Sequence, residues 1–261
     1  MRNLWLVLAL SACGAIYAGM EAEAQAQQRV QYFLLEETTV KSGMGGQFEA
    51  AQKDYCAAVV RGGAPACLVF STATFGKSGM YWTLLPFTSF IHYDQGKYTD
   101  KGLTPDQAKE LSARRVPTIE ANHESAIALE MDSSLAPSGS NGDFPLNLVT
   151  EYRVKPGMVD PFLNTIKKTL LPAARKAGTV GLEVFTTRMG ESPERVLVVT
   201  RHKKFEELDA PDPILAAMNR TAQSTWENQF SIYVEHRDTY LMRYRGDLSD
   251  NPRVQDKAAE K

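Results

Sequence analysis

The stretch Glu151–Met158, EYRVKPGM, is used twice in this chain: 114 residues earlier, Glu37–Met44 reads ETTVKSGM. Each copy alternates like a short strand and turns at Lys-X-Gly. Each then enters a helical pattern carrying Phe48 or Phe162 four residues beyond the Met. The match runs without a gap to Ser78/Ser192, with twelve identities over 42 positions, Lys53/Lys167, Arg61/Arg175, Thr72/Thr186 and Gly76/Gly190 among them. So regular a correspondence marks a tandem duplication, and it divides the 261 residues into two units of ordinary domain size. Further on, Phe90 and Asp94 align with Phe205 and Asp209 at an offset of 115, whereas Asn122, Ser125 and Asp132 align with Asn228, Ser231 and Asp238 at 106. The smaller offset implies a longer loop before the second helix of the first copy.

Working outward, the first unit (29–135) reads as strand Val30–Val40, a helix carrying Phe48, Ala51, Tyr55 and Val59, and strands Leu68–Phe75 and Met80–Phe87. A helix capped by Thr104-Pro105-Asp106-Gln107 then runs to about Asn122, before strand Ser125–Met131. Residues 136–144 lack apolar periodicity and hold every turn-forming type, which reads as a linker. The second unit (145–245) repeats the order: strand Leu146–Val154, a helix from Asp160 to Ala177 that Pro172 should kink or shorten, and strands Gly181–Arg188 and Arg195–Arg201. A helix opened by Asp212-Pro213 and carrying Trp226 precedes strand Phe230–Leu241, and 246–261 reads as a polar, disordered tail.

Residues 1–26 read as a signal peptide: Arg2 and Asn3, an apolar run from Leu4, and small residues at Ala22, Ala24 and Ala26 suited to cleavage. Export to the periplasm or the medium follows. The alternative is a lipoprotein, since Leu10-Ser11-Ala12-Cys13 resembles a lipidation box and would anchor the chain through Cys13. The apolar run is too short for a confident membrane span, so none is expected in the mature chain. A formal net charge of −2 with 23% charged residues gives no reason to expect nucleic acid or an anionic membrane as a partner. Cys56 and Cys67 lie in one unit with no counterparts in the other. They could be bridged in an oxidising compartment, or Cys56, aligned with Leu170, could be a small core residue.

Each unit has the order strand, helix, strand, strand, helix, strand: the split βαβ pattern of ferredoxin-like folds, whose sheet keeps one open face. Two such units in one chain can stack those faces. The residues Tyr152–Met158 (YRVKPGM) with Phe162, Gly181–Phe185 (GLEVF) and Val196–Val199 (VLVV) resemble the dimeric α+β barrel superfamily, in particular its antibiotic-biosynthesis monooxygenase-like and NIPSNAP-like branches. The resemblance implies an α+β fold with the two repeats packed sheet to sheet as an intrachain barrel. It also implies a pocket for a small hydrophobic or aromatic molecule. Monooxygenase relatives work without a cofactor, and other relatives bind haem. Where many monooxygenase-like sequences carry an acid and a Trp at the end of the third strand, this chain has Thr200 and His202, or Pro86 and Thr88.

Strand alternation selects the site candidates. If Val154 packs on the helix side near Phe162, then Glu151 and Arg153 face the barrel, with Glu37 and Thr39 as counterparts. A buried carboxylate lacking a partner would be pushed toward its protonated form, which suits proton transfer; the alternative is a Glu–Arg pair at a wet strand end. Arg153 against Thr39 would make the pair of carboxylates asymmetric. His92, His123, His202 and His236 lack metal-site spacing, so no metal is expected, and haem remains only through His202 or His236 as a lone axial ligand. Trp82 and Trp226 read either as pocket lining or as core. Gly76–Gly79 is not a phosphate loop, and no G-x-S-x-G is present. Three functions fit: an exported small-molecule-binding barrel, a cofactor-independent monooxygenase-like enzyme, and a protein-interaction module, with homo-oligomers open to each. A cavity of a few hundred Å³ would favour the first two, a packed lumen the third.

Overall fold

The structure, a computed structural model, describes residues 30–252; the expected signal peptide, Cys13 and residues 253–261 lie outside them. The first half runs β1 (Val30–Val40), α1 (Gly45–Arg61), β2 (Leu68–Thr72), β3 (Met80–Phe87), short helices α2 (Ile91–Asp94) and α3 (Tyr98–Gly102), α4 (Pro105–Arg115) and β4 (Ile119–Glu130). The second runs β5 (Leu146–Val154), α5 (Val159–Thr165), a π turn (Ile166–Leu170), α6 (Leu171–Ala177), β6 (Leu182–Met189), β7 (Arg195–His202), α7 (Pro213–Ala217), α8 (Arg220–Tyr233) and β8 (Val234–Tyr244). The repeated Lys-X-Gly is a turn because Gly43 and Gly157 sit at φ +80 and +77, where a side chain would be strained.

All strands are antiparallel and close into one barrel in the order β1-β3-β2-β8-β5-β7-β6-β4. The halves meet along two seams, Phe70–Thr72 against Met242–Tyr244 and Ala126–Leu129 against Phe185–Met189. Three apolar clusters fill the molecule. One lies between the helices and sheet of each half. The third draws on all eight strands and no helix, including Phe33, Leu35, Phe70, Trp82, Ile127, Val149, Phe185, Leu197, Val199 and Met242, and is therefore the barrel lumen.

The register corrects the repeat alignment. Glu37 pairs with Trp82 and Glu151 with Leu197, and β4 begins at Ile119 and β8 at Val234, 115 residues apart. The halves are thus equal in length here, and no longer loop precedes the second helix of the first. Ser125 lies opposite Leu35, as Tyr240 lies opposite Val149, so Ser125 corresponds to Tyr240; Ser231 is helical.

Several boundaries move for local reasons. The helix expected to reach Asn122 ends at Arg115, where Pro117 diverts the chain through one 3-10 turn into β4. Pro172 does not end its helix, because the wider π turn just before it absorbs the missing N–H. Asp212 caps only the short α7, and Asn219 caps α8, which extends through Phe230 to Tyr233. β2 stops at Thr72, three residues early. The tail is not disordered from residue 246: Leu248 is buried, and Cys67 and Asp250 exchange backbone hydrogen bonds. Cys56 and Cys67, both fully buried, are joined as a disulfide.

Candidate functional site

β7 alternates, so Arg195, Leu197, Val199 and Arg201 share the inward face and place an arginine at each end of an apolar lumen. At the first end, Arg195 grips Glu37 with both terminal nitrogens (Nη1–Oε2 2.7 Å, Nη2–Oε1 2.9 Å) and reaches Glu151 Oε2 at 3.0 Å. The Tyr240 hydroxyl donates to the same Glu151 oxygen at 2.8 Å. Burial opposes the Arg195 charge, but the hydrogen bond and charge of Glu37 and the charge of Glu151 outweigh it and hold the guanidinium above its ordinary pKa. Burial, then Glu151, raises that of Tyr240. This end is a closed plug: four side chains satisfying one another, with only Arg195 Nε left without a partner.

At the other end, Arg201 Nε and Nη2 both donate to Glu183 Oε2, at 2.9 and 2.7 Å, and the pair is largely buried. Between plug and mouth lies a cavity of about 70 Å³, lined by Phe33, Phe70, Trp82, Ile127 and Phe185 among others, with Asn141, Asn147, Glu183 and Arg201 at its rim. That is room for about two waters, well short of the few hundred Å³ expected for a binding barrel. Outside the mouth a hollow of about 780 Å³ shares Phe33, Leu68, Glu183 and Arg201 with the lumen and is walled by Pro86, Phe87, Leu129 and Leu135. Two residues of the lumen cavity's lining each hold a buried polar atom without a hydrogen-bond partner, Trp82 Nε1 and Asn141 Oδ1. Asn141 belongs to the expected linker, which is pinned by Ser138 N–H to the Val180 carbonyl and by the Ser140–Asp143 hydrogen bonds.

Of the candidates from sequence, Glu37 and Glu151 do meet inside the barrel, at the plug. Thr39 and Arg153 lie a step further out; Arg153 is exposed, and its cross-strand neighbour Arg195 serves both carboxylates. The asymmetry therefore arises from Arg195, whose counterpart is Met80, opposite Thr39 as Arg195 is opposite Arg153. Neither carboxylate is left without a partner. Trp226 packs against Phe162 and Phe230 between α8 and the sheet and does not reach the lumen. His202 sits on the outer face of β7, in a hollow of about 160 Å³. That is close to the roughly 150 Å³ that holds one benzene and too small for a porphyrin. His236 is exposed and paired with Asp238. Neither residue fits haem. Among the described residues no group of three or more His, Cys, Asp or Glu is placed to hold a metal ion, and no helix is long and apolar enough to cross a membrane. Trp82, read as either pocket lining or core, lines the lumen. Sequence reading missed Arg195, Arg201 and Glu183; the alternation R-V-L-V-V-T-R over 195–201 was the available signal.

No family model matches the chain, and no curated protein matches it either. Among solved structures it resembles two proteins each described as a "putative monooxygenase". One is from Fusobacterium nucleatum (14% identity, 85% of this chain and 95% of that one, TM-score 0.58) and one from Lactobacillus acidophilus (10%, 82% and 94%, 0.55). It also resembles an anthrone oxidase-like protein (12%, 85% and 92%, 0.61). At such identities the likeness shows the fold alone: a mixed α+β barrel with a closed antiparallel sheet.

Proposed function

We propose that this protein is a small-molecule-binding barrel that receives its ligand through the Arg201 mouth. The body of the ligand would occupy the outer hollow and a slender polar tip the lumen. The observation that carries the reading is a pair of orphaned atoms on residues that line one largely apolar cavity: one donor, Trp82 Nε1, and one acceptor, Asn141 Oδ1, which a ligand would reach by a small shift of either side chain. Leaving such groups unpaired costs about 1–3 kcal/mol each, a cost that a fitting ligand removes. The complement is an apolar molecule with an acceptor for the indole and a donor for the amide. Glu183 already neutralises Arg201, so a neutral ligand is favoured over an anion.

We read the two halves as tandem ferredoxin-like units, on the repeated order of their elements and their common register. We also read the chain as exported, and the Cys56–Cys67 disulfide supports an oxidising destination. The names of the structural neighbours favour a second reading, a monooxygenase-like enzyme. Cofactor-free oxidation needs a base to take the substrate's proton, and Glu37, Glu151 and Glu183 are all bound to arginine. Binding is therefore the reading adopted over oxidation, and the hollow of about 780 Å³ at the mouth, rather than the tight lumen, favours it over an interaction module.

Thermal-shift titration with 4-hydroxyacetophenone, acetophenone and ethylbenzene tests it. The bifunctional probe should bind about tenfold more tightly than acetophenone, matching one further hydrogen bond, and Trp82→Phe should weaken both. Equal response to all three, dioxygen uptake with probe consumption, or no response at all would contradict the reading.

A further inference from the structure

On the face of β7 turned away from the lumen, Thr200 and His202 lie two residues apart and so on one side of the strand. Thr200 Oγ1 is 3.2 Å from His202 Nε2, and His202 Nδ1 is 3.6 Å from Glu207 Oε2. Hydroxyl, imidazole and carboxylate thus follow one another in the order that activates an alcohol for acyl transfer. All three line the hollow of about 160 Å³ closed by Leu148, Leu208 and Ile214. Thr179, also in its lining, has a buried hydroxyl without a partner. Burial lowers the pKa of His202 although Glu207 and Asp212 oppose it, so at neutral pH the imidazole is free to accept a proton.

We propose that this hollow is a second, catalytic site that hydrolyses short-chain esters of neutral or cationic alcohols, with Thr200 as nucleophile and His202 as base. Thr200 Oγ adds to the ester carbonyl carbon as its proton passes to His202 Nε2. The bond to the alcohol oxygen breaks, and the alcohol leaves with that proton. Water then attacks the acyl-threonine, gives a proton to His202, and releases the carboxylic acid as Thr200 is reprotonated. Ester and water become acid and alcohol, so no oxidant or reductant is required. The free Thr179 hydroxyl supplies a donor to the carbonyl oxygen as it gains charge. Glu207 is a positioning residue; 3.6 Å is longer than a hydrogen bond and contracts once His202 carries a proton. Glu207 and Asp212 make the rim acidic, which disfavours anionic esters. The size of the hollow, near that which holds one benzene, limits the acyl group to a few carbons.

Full-length protein treated with a fluorophosphonate and analysed by peptide mass spectrometry, beside p-nitrophenyl acetate hydrolysis, tests the proposal. The label should fall on Thr200. Hydrolysis should drop at least about 100-fold in His202→Gln, vanish in Thr200→Val with melting unchanged, and return in Thr200→Ser, whose primary alcohol is less hindered. Labelling elsewhere or none, or hydrolysis that survives Thr200→Val at the original rate, overturns it. If Thr200→Val fails to fold, absence of the Thr200 adduct in the original protein overturns it alone.

Discussion

The two halves share a register and a barrel, yet the layers beneath their helices are chemically opposed. In the second half, Ile166, Val198 and Phe230 sit with Tyr152, Phe162 and Trp226 in an apolar core, with the half-buried Thr150 on the same face of β5 as Tyr152. At the positions of the first half corresponding to Thr150, Ile166, Val198 and Phe230 stand Glu36, Gln52, Thr83 and Arg115, joined in a chain. Arg115 Nη2 donates to Glu36 at 2.7 Å, Arg115 Nε to Gln52 at 2.9 Å, and Gln52 Nε2 to Thr83 at 2.9 Å. The guanidinium also lies over Tyr55 and Phe48. One duplicated framework therefore tolerates either filling, provided the polar filling is paired. Desolvation consumes most of what a buried ion pair gains, so its presence is weak evidence for added stability. The first half instead carries two staples for which the second shows no counterpart among the described residues, the disulfide and the anchoring of the tail by Arg245, itself held by Asp247, on Glu49.

The comparison is broken most severely by Arg115→Met, which strands Glu36 in the core and should cost about 3–5 kcal/mol in urea unfolding. Copying the second half outright, with Glu36→Thr, Gln52→Ile, Thr83→Val and Arg115→Phe together, should instead be neutral or stabilise by about 1–4 kcal/mol. A quadruple variant as weak as Arg115→Met would show that the two fillings are not interchangeable. Removing the disulfide as Cys56→Ala/Cys67→Ala should cost about 3 kcal/mol for a loop of this length, and hydrogen exchange should rise in α1 and β2 but not in α5 or β6.

The smallest effect is electrostatic. The hydrogen bond to Arg245 holds the carboxyls of Glu49 and Asp247 below their ordinary values of 4.5 and 3.8. Because their folded pKa values are depressed, their contribution is complete above those ordinary values and is lost as pH falls through the folded ones. Below about pH 4, residues 245–250 should detach from the first half, seen as exchange at the Cys67 amide. Leu163 occupies the position of Glu49 in the second half, which should show no matching acid step. Simultaneous loss in both halves would argue for global unfolding instead.

The repeat was legible because Lys-X-Gly and the aromatic four residues past the Met are backbone and core requirements that both copies must meet. Strands β1, β3 and β5 were legible for the same reason, since their apolar alternation is bounded by turns. Residues 230–233 were not: Phe230 and Tyr233 continue the spacing of Trp226 along α8, while the same letters also pass for the start of a β-branched strand. Glu37 and Glu151 could be placed in the lumen by alternation alone. Their partner Arg195 was passed over because it opens a strand directly after a turn, where an arginine reads as solvent-facing, although the alternation of β7 puts it on one face with Leu197 and Val199. The mouth depended on tertiary closure. Asn141 sits in a segment with linker composition, and only the folded chain brings it to the lumen beside Arg201.

The claim that the lumen and its mouth hold a small neutral molecule is tested most directly by native mass spectrometry. Protein equilibrated with a small-molecule extract of the producing cells and then desalted is compared with the variant Trp82→Phe treated alike. The account predicts a single adduct of one small, uncharged compound on the original protein, about tenfold less of it on Trp82→Phe, and equal melting temperatures for the two without extract. A bare protein mass after equilibration, or an adduct that Trp82→Phe retains in full, would contradict it.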